Sequence, residues 1–293
     1  MNELIDHPAP ASVHAAASGA AAPSAASRGP LPRARPAVRR RIRPAGWQGW
    51  IVPAAVLLLW QTVSMLGWVS GTLLPAPSRI VQSLVRLSLS GELFRHLGAS
   101  AFRAASGCLL GGATGLLLGL FTGLGKWAER TLDPSMQMLR TVPLMTLIPL
   151  FILWFGVGEF SKILLIALGS FFPVYFHTFL GVRAADRKLH EVTLVLQYSP
   201  WHKLTALVLP AALPNLLLGV RLAVSASWLI LAIAEMMGAS SGIGYMIQDA
   251  RVFSNTDIVF VGLIVFMAAG KLSDVGVRAL ERRWLKWSTA YKG

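Results

Sequence analysis

Six stretches of this chain are apolar for most of their length, at roughly 50–68, 99–120, 142–157, 163–180, 215–237 and 258–277. Nothing else in the sequence constrains its fold as strongly. About 20 apolar residues in a helix cross the hydrocarbon core of a bilayer, where each backbone polar group must be satisfied within the segment or by a closed barrel. With 54% hydrophobic and 14% charged residues and a mean hydropathy of +0.58, the expectation is an all-α, polytopic membrane protein of about six transmembrane helices. The third stretch is the shortest and carries Pro143 and Pro149.

The charge balance is strongly basic, with 27 Lys and Arg against 13 Asp and Glu, a formal net charge of +14. Loops rich in Lys and Arg stay on the cytoplasmic side. With the N-terminus inside, only Arg79, Arg86, Arg95, Lys162 and Arg251 fall in outer segments, while Arg103, Arg221 and Lys271 lie in or at the edge of spans; the remaining nineteen are inside. Both termini are therefore expected in the cytoplasm and the localisation is a cytoplasmic (inner) membrane. A single cysteine, Cys108, rules out an internal disulfide framework.

Residues 1–45 are rich in Ala, Pro and Ser and end in a basic run from Arg33 to Arg43, a composition expected of a disordered cytoplasmic tail before a membrane domain at 46–293. The first span is long and tryptophan-flanked, as in an uncleaved anchor rather than a signal peptide. The Arg run suits lipid head groups or topology more simply than nucleic acid.

Within the second stretch Gly107, Gly111, Gly115, Gly119 and Gly123 recur at every fourth position and form one helical stripe, the pattern of a close helix–helix seam within a subunit or between two copies. In the third, Pro143 and Pro149 bend or break a helix. Broken helices at membrane depth are tolerated where they border a cavity, so the segment through Trp154 either lines a translocation path or is a kinked packing helix. The long inner segment 183–214 is expected to form short helices separated by breaks: one from Glu191 to Gln197, a turn at Ser199-Pro200, and a second from Trp201 to Val208 with Trp201, Leu204 and Val208 on one face, before Pro210 and Pro214. Such a hairpin either docks into a groove of a soluble partner or lies on the membrane surface.

Glu191-Val-Thr-Leu-Val-Leu-Gln197, Leu207-Val-Leu-Pro210, Pro214 and Gly219-Val-Arg221 resemble the cytoplasmic signature loop of permease subunits in binding-protein-dependent ABC importers. Leu74-Pro-Ala-Pro77, Ser90-Gly-Glu-Leu93, Glu129-Arg-Thr-Leu-Asp133, Gln137-Met-Leu-Arg140, Ile148 to Gly156 and Gly242-Ile-Gly-Tyr245 look like the nitrate, sulfonate and taurine branch. Gly270-Lys-Leu-Ser-Asp274 and Leu280 to Trp287 look closest to its aliphatic sulfonate permeases. The resemblance implies the type I importer permease fold, a coupling loop that sits in a cleft of the ATPase subunit, and transport by alternating access. It also implies three kinds of partner: a second permease copy, two ATP-binding subunits that hold ATP and magnesium, and an external substrate-binding protein. The ATPase-coupling residues carried over are Glu191, Gln197, Ser199, Pro200, Trp201, Leu204, Pro210, Pro214, Gly219 and Arg221. The sequence departs from the family pattern in two places. Val192 and Thr193 replace two alanines, and Gln197 replaces the glycine six positions after Glu191, so the break between the helices falls to Ser199-Pro200.

Enzyme chemistry finds no support in the residues. The six histidines include no pair at metal-ligand spacing, and no Gly-Lys-Ser/Thr phosphate loop occurs, so neither a catalytic site, a metal site nor a bound cofactor is expected in this chain. His177, near Tyr175 in the fourth stretch, is a candidate functional residue or a hydrogen-bonded packing residue. Arg103, Arg221 and Lys271 could serve an anion's path, or snorkel to an interface or fix the fold. Glu235, near the outer end of the fifth stretch, is a candidate gate or docking residue, and Pro143, Pro149 and Trp154 are the other candidate path residues. Taurine, nitrate or another small substrate, a secondary transporter and an intramembrane enzyme are the alternative functions.

Overall fold

A computed structural model describes residues 51–184 and 195–285, and every regular element among them is helical. In chain order these are α1 (Ile51–Met65), α2 (Pro77–Leu89), α3 (Glu92–Leu124), α4 (Lys126–Leu139), α5 (Leu144–Phe155), α6 (Glu159–Arg183), the short α7 (Pro200–Lys203), a π-helical turn (Leu204–Val208), α8 (Leu209–Met236), α9 (Ile243–Val252) and α10 (Thr256–Trp284). The tail at 1–45 and Glu191 lie outside the described residues.

Four of the expected spans are long single helices: α3, α6, the continuous stretch Trp201–Met236, and α10. The third is not. α5 has 12 residues, about 18 Å of helix against a core of about 30 Å, and it meets α4 at a bend of 94°. The pair forms one bent apolar unit, a broken span or a re-entrant loop. The bend falls at Thr141-Val-Pro143, because Pro143 fixes its own φ and forces the residue before it out of the helical region. Pro149 lies within α5 without ending it. The first stretch is represented by α1, whose 15 described residues are apolar but short of a full crossing. Among the described residues the six apolar stretches are thus four long helices, a bent pair and the apolar α1.

The stretch 200–236 carries Pro210 and Pro214 without a break: α7, the π turn and α8 follow one another without interruption. Proline removes one backbone donor and crowds the carbonyl four residues back. Pro210 sits in the first turn of α8, and the widened π turn immediately before it is where that crowding is absorbed.

α6 is central, packed along α3 on one side and α8 on the other. The glycine stripe makes the first contact: an added Cβ would lie 2.6 Å from Ile166 at Gly107, 2.6 Å from the Phe171 carbonyl at Gly115, 2.7 Å from the Tyr175 carbonyl at Gly119 and 2.8 Å from Val182 at Gly123, and at Gly111 would collide with the Ala167 backbone. The seam lies within the subunit. Lipid offers no hydrophobic drive for association, so close backbone approach must supply it. Gly219 and Gly181 do the same for α6 and α8, against His177 and the Ala212 backbone. At the other end α2, α9 and the starts of α3 and α10 share a core of Ile80, Leu87, Leu93, Ile243, Met246, Ile247 and Val261.

Candidate functional site

Two regions carry unusual chemistry, one at each end of α8. At its C-terminal end, Arg103 of α3 is 2% exposed, an arginine that can persist at such depth only if paired. All five of its N–H groups are used. Nε and Nη2 donate to the two Glu159 carboxylate oxygens at 2.5 and 2.8 Å, Nη1 donates to Glu235 Oε1 and the Ser241 carbonyl at 2.7 Å each, and Nη2 also donates to Ser241 Oγ at 2.9 Å. Glu235, 1% exposed, further accepts from Ser100 Oγ and from the backbone N–H of Gly244 at 2.9 Å. Lys162, 7% exposed, donates to Glu159 at 3.3 Å. Two cations thus balance two carboxylates.

The same cluster seats α9. A helix start leaves its first N–H groups without partners, and here side chains from other helices take them: His96 Nδ1 accepts from Gly242 N at 3.0 Å, Ser100 Oγ from Ile243 N at 2.8 Å, and Glu235 from Gly244 N. Gly242 adopts φ +112° and an added Cβ would overlap the Glu235 carboxylate; at Gly244 it would lie 2.7 Å from Glu235 Cβ. That is the physical reason for the two glycines of Gly242-Ile-Gly-Tyr245. Arg103 has no N–H left for an anion, and Glu235 is closed off from any docking partner. Glu159, Ser100, His96 and Ser241 were not singled out in the sequence, although a buried arginine and a buried glutamate in apolar helices were signals that partners existed.

At the other end, the described part of the coupling segment exposes Val195, Leu196 and Trp201, with Trp201 73% exposed. Leu204 and Val208 turn inward against Val182, Ala212 and Leu120. Ser199 Oγ accepts from His202 N at 3.2 Å and so caps α7, as the Ser-Pro pair predicts. Gln197 has φ +50°. The position that is glycine in the family pattern keeps its left-handed backbone here with a side chain attached, a conformation that costs a non-glycine residue about 1 kcal/mol. Gln197→Gly should therefore raise the thermal stability of the detergent-solubilised protein or leave it level, while Gln197→Val should lower it; the reverse order would show that this backbone is not held left-handed.

Arg221 pairs with Asp274 at 2.9 Å and, with the Trp228 Nε1 to Ser273 Oγ bond at 3.0 Å, ties α8 to α10; Arg278, one turn along α10, pairs with the same carboxylate. Arg221 is thus a fold contact. Pro214 and Gly219 lie in α8, and Lys271 is exposed on α10. His177 Nδ1 is buried without a hydrogen-bond partner, and the ring backs onto Gly219. Of the candidate path residues, Pro143 caps α5, Pro149 lies inside it, Trp154 is 62% exposed on it, and Glu235 belongs to the cluster above. Between α5, α6 and α8 lies a void of about 20 Å³, room for one water. Among the described residues no group of three or more His, Cys, Asp or Glu is placed to hold a metal.

The described chain is all-helical, with four helices long and apolar enough to cross a membrane and one bent pair, the architecture of a polytopic membrane protein. Residues 115–286 match the family model described as "binding-protein-dependent transport system inner membrane component", and the chain belongs to that family of ABC importer permeases. It is 54% identical over 250 residues to the protein named aliphatic sulfonates transport permease SsuC of Bacillus subtilis (strain 168), covering 85% of this chain and 90% of that one. With the protein of the same name from Escherichia coli (strain K12) it shares 48% over 242 residues, 83% and 92% of the two chains. The taurine transport system permease TauC of the same strain is 34% identical over 239 residues, 80% and 87% of the chains. ATPase and binding-protein partners follow from the family, as does residence in the inner membrane.

Proposed function

We propose that two copies of this chain form the path for small alkylsulfonate anions, delivered by an external binding protein and driven by two ATPase subunits that hold ATP and magnesium. The observation that carries the substrate class is the 54% and 48% identity, across most of both chains, to two permeases named for aliphatic sulfonates, against 34% for the one named for taurine. The pairing rests on α5: its inner side leaves room for only one water, while Met145, Leu153 and Trp154 are exposed on its outer side, where a second copy would complete a path. The reading puts both termini in the cytoplasm, supported by the higher count of Lys and Arg in the segments that this orientation makes internal.

Coupling would enter through Val195, Leu196, Trp201 and the neighbouring Glu191. From Trp201 to Met236 the chain is helical for 36 residues, a rod of about 54 Å that ends beside the Arg103 cluster. A push on the coupling segment then moves the outer end of the rod, without a flexible joint at Pro210 or Pro214 to absorb it.

The test is uptake into vesicles containing the permease, its ATPase and its binding protein. Ethanesulfonate should accumulate with ATP and be displaced by longer alkylsulfonates better than by taurine or nitrate; better displacement by taurine or nitrate would overturn the substrate class. Trp201→Ala or Glu191→Lys should reduce copurification of the ATPase while leaving membrane insertion intact. Unchanged copurification of both would remove the coupling assignment.

A further inference from the structure

The second outer-side helix, α2, presents an apolar stripe that no part of the described chain covers. Ile80, Leu84 and Leu87 on one side pack into the core shared with α9 and α10. Val81, Val85 and Leu89, spaced four residues apart on a neighbouring arc, are 57%, 50% and 84% exposed. The remaining arc holds Arg79, Gln82 and Arg86, which with Asp257 border an open polar cleft of about 410 Å³. A helix covered by protein on one side, apolar and bare on the second, and cationic and wetted on the third fits one kind of place, the boundary between lipid and water.

The bare stripe also continues the exposed apolar surface of a helix long enough to cross a membrane. Along α3, Phe94, Phe102 and Leu109 are exposed at 62%, 65% and 73% and follow one side of a membrane-crossing helix. The chain passes from Leu89 through Ser90-Gly91 directly into that helix, so the apolar surface runs from Leu109 up to Phe94 and on to Leu89, Val85 and Val81. On its other flank α2 is tied to α1, because Ser78 N donates to Gln61 Oε1 at 3.1 Å and Gln61 Nε2 donates to Ser78 Oγ at 3.0 Å. α1 is bare on nearly all its surface, from Val52 at 69% to Leu59 at 64%. The level is also consistent: α2 packs against Ile258, Val259 and Val261, where the apolar stretch of α10 begins.

We infer that α2 is an interfacial helix, with Val81, Val85 and Leu89 in the acyl boundary of the outer leaflet and Arg79 and Arg86 toward water and lipid phosphate. Long basic side chains at that boundary keep their charge wet while their stems cover apolar surface. By its shared core with α9, this helix fixes the depth at which the Arg103 cluster sits. The inference does not depend on the substrate or coupling assignments.

The test uses nitroxide labels on single cysteines, at 81, 85 and 89 on the apolar arc and at 79, 82 and 86 on the polar one, in full-length protein carrying Cys108→Ser. A parallel set in Cys108→Ala guards against a background that fails to fold. The protein, with the subunits that copurify with it, is placed in vesicles of phosphatidylethanolamine and phosphatidylglycerol. Collisions with oxygen, which concentrates in lipid, should exceed collisions with a water-soluble nickel chelate at 81, 85 and 89, and the ratio should reverse at 79, 82 and 86. Access of the nickel chelate to position 85 would place the stripe in water and overturn the inference. Exclusion of both reagents there would show that a second copy or another protein covers it, and would overturn it equally.

Discussion

Arg103→Ala is expected to be the most damaging single substitution outside the glycine seam. It strands Glu235 at 1% exposure and leaves the Ser241 carbonyl without its guanidinium donor. Breaking a buried ion pair by removing one partner costs about 3–5 kcal/mol, because the remaining charge stays desolvated. The loss should appear as a large downward shift in the temperature at which the solubilised protein aggregates. Arg103→Lys should recover little of it, since one ammonium cannot reproduce a planar fork that reaches two carboxylates and both Ser241 oxygens. Glu235→Gln, which keeps the shape and relieves one charge, should be milder than Glu235→Ala. The paired change of Arg103→Met with Glu235→Met should be less harmful than the sum of the single changes, as coupled sites in one network are not additive. An Arg103→Ala protein as heat-stable as its parent would mean that water reaches this cluster and that the pairing is incidental.

The second large effect belongs to Gly111. Its missing side chain is the space occupied by the Ala167 backbone, so the neighbour that would have to move is main chain in the middle of α6 and not the end of a flexible side chain. Overpacking a tight core costs about 1–3 kcal/mol where side chains can yield, and the upper end or beyond is expected where they cannot. Gly111→Val should prevent recovery of folded permease from the membrane. Gly112, one position away, meets only Val174 at 4.0 Å, so Gly112→Ala is the control that should fold normally. Equal recovery of the two variants would show that α3 and α6 are not held in this register.

These two sites also separate what the residues announced from what they could not. The glycines of α3 announced their seam through a four-residue spacing, because close packing on a helix needs small residues on one stripe. Arg103 and Glu235 announced only that something must neutralise them. The partners of Arg103 lie 56 positions away at Glu159 and 138 at Ser241, and Ser100 lies 135 from Glu235; no local pattern links such distances. A proline by itself does not decide whether a helix breaks. Pro143 ends one helix and starts another at a right-angled corner, whereas Pro210 and Pro214 are carried through a continuous rod. Local chemistry is the same in each case; what differs is whether packing on either side rewards a bend or a straight helix. At Pro210 the inward-facing Leu204 and Val208 hold the chain against Val182 and Ala212, and the π turn takes up the misfit.

A multi-helix membrane protein of the importer-permease family was legible in the residues alone, because hydropathy and short motifs are local properties. Only in three dimensions is it settled where the third stretch bends, that the helix from Trp201 runs on for 36 residues, and that Arg103 is consumed by the fold. Each of those depends on which distant groups meet, and in a low-dielectric interior the identity of the partner settles whether a charge binds an ion, opens a gate or holds helices together.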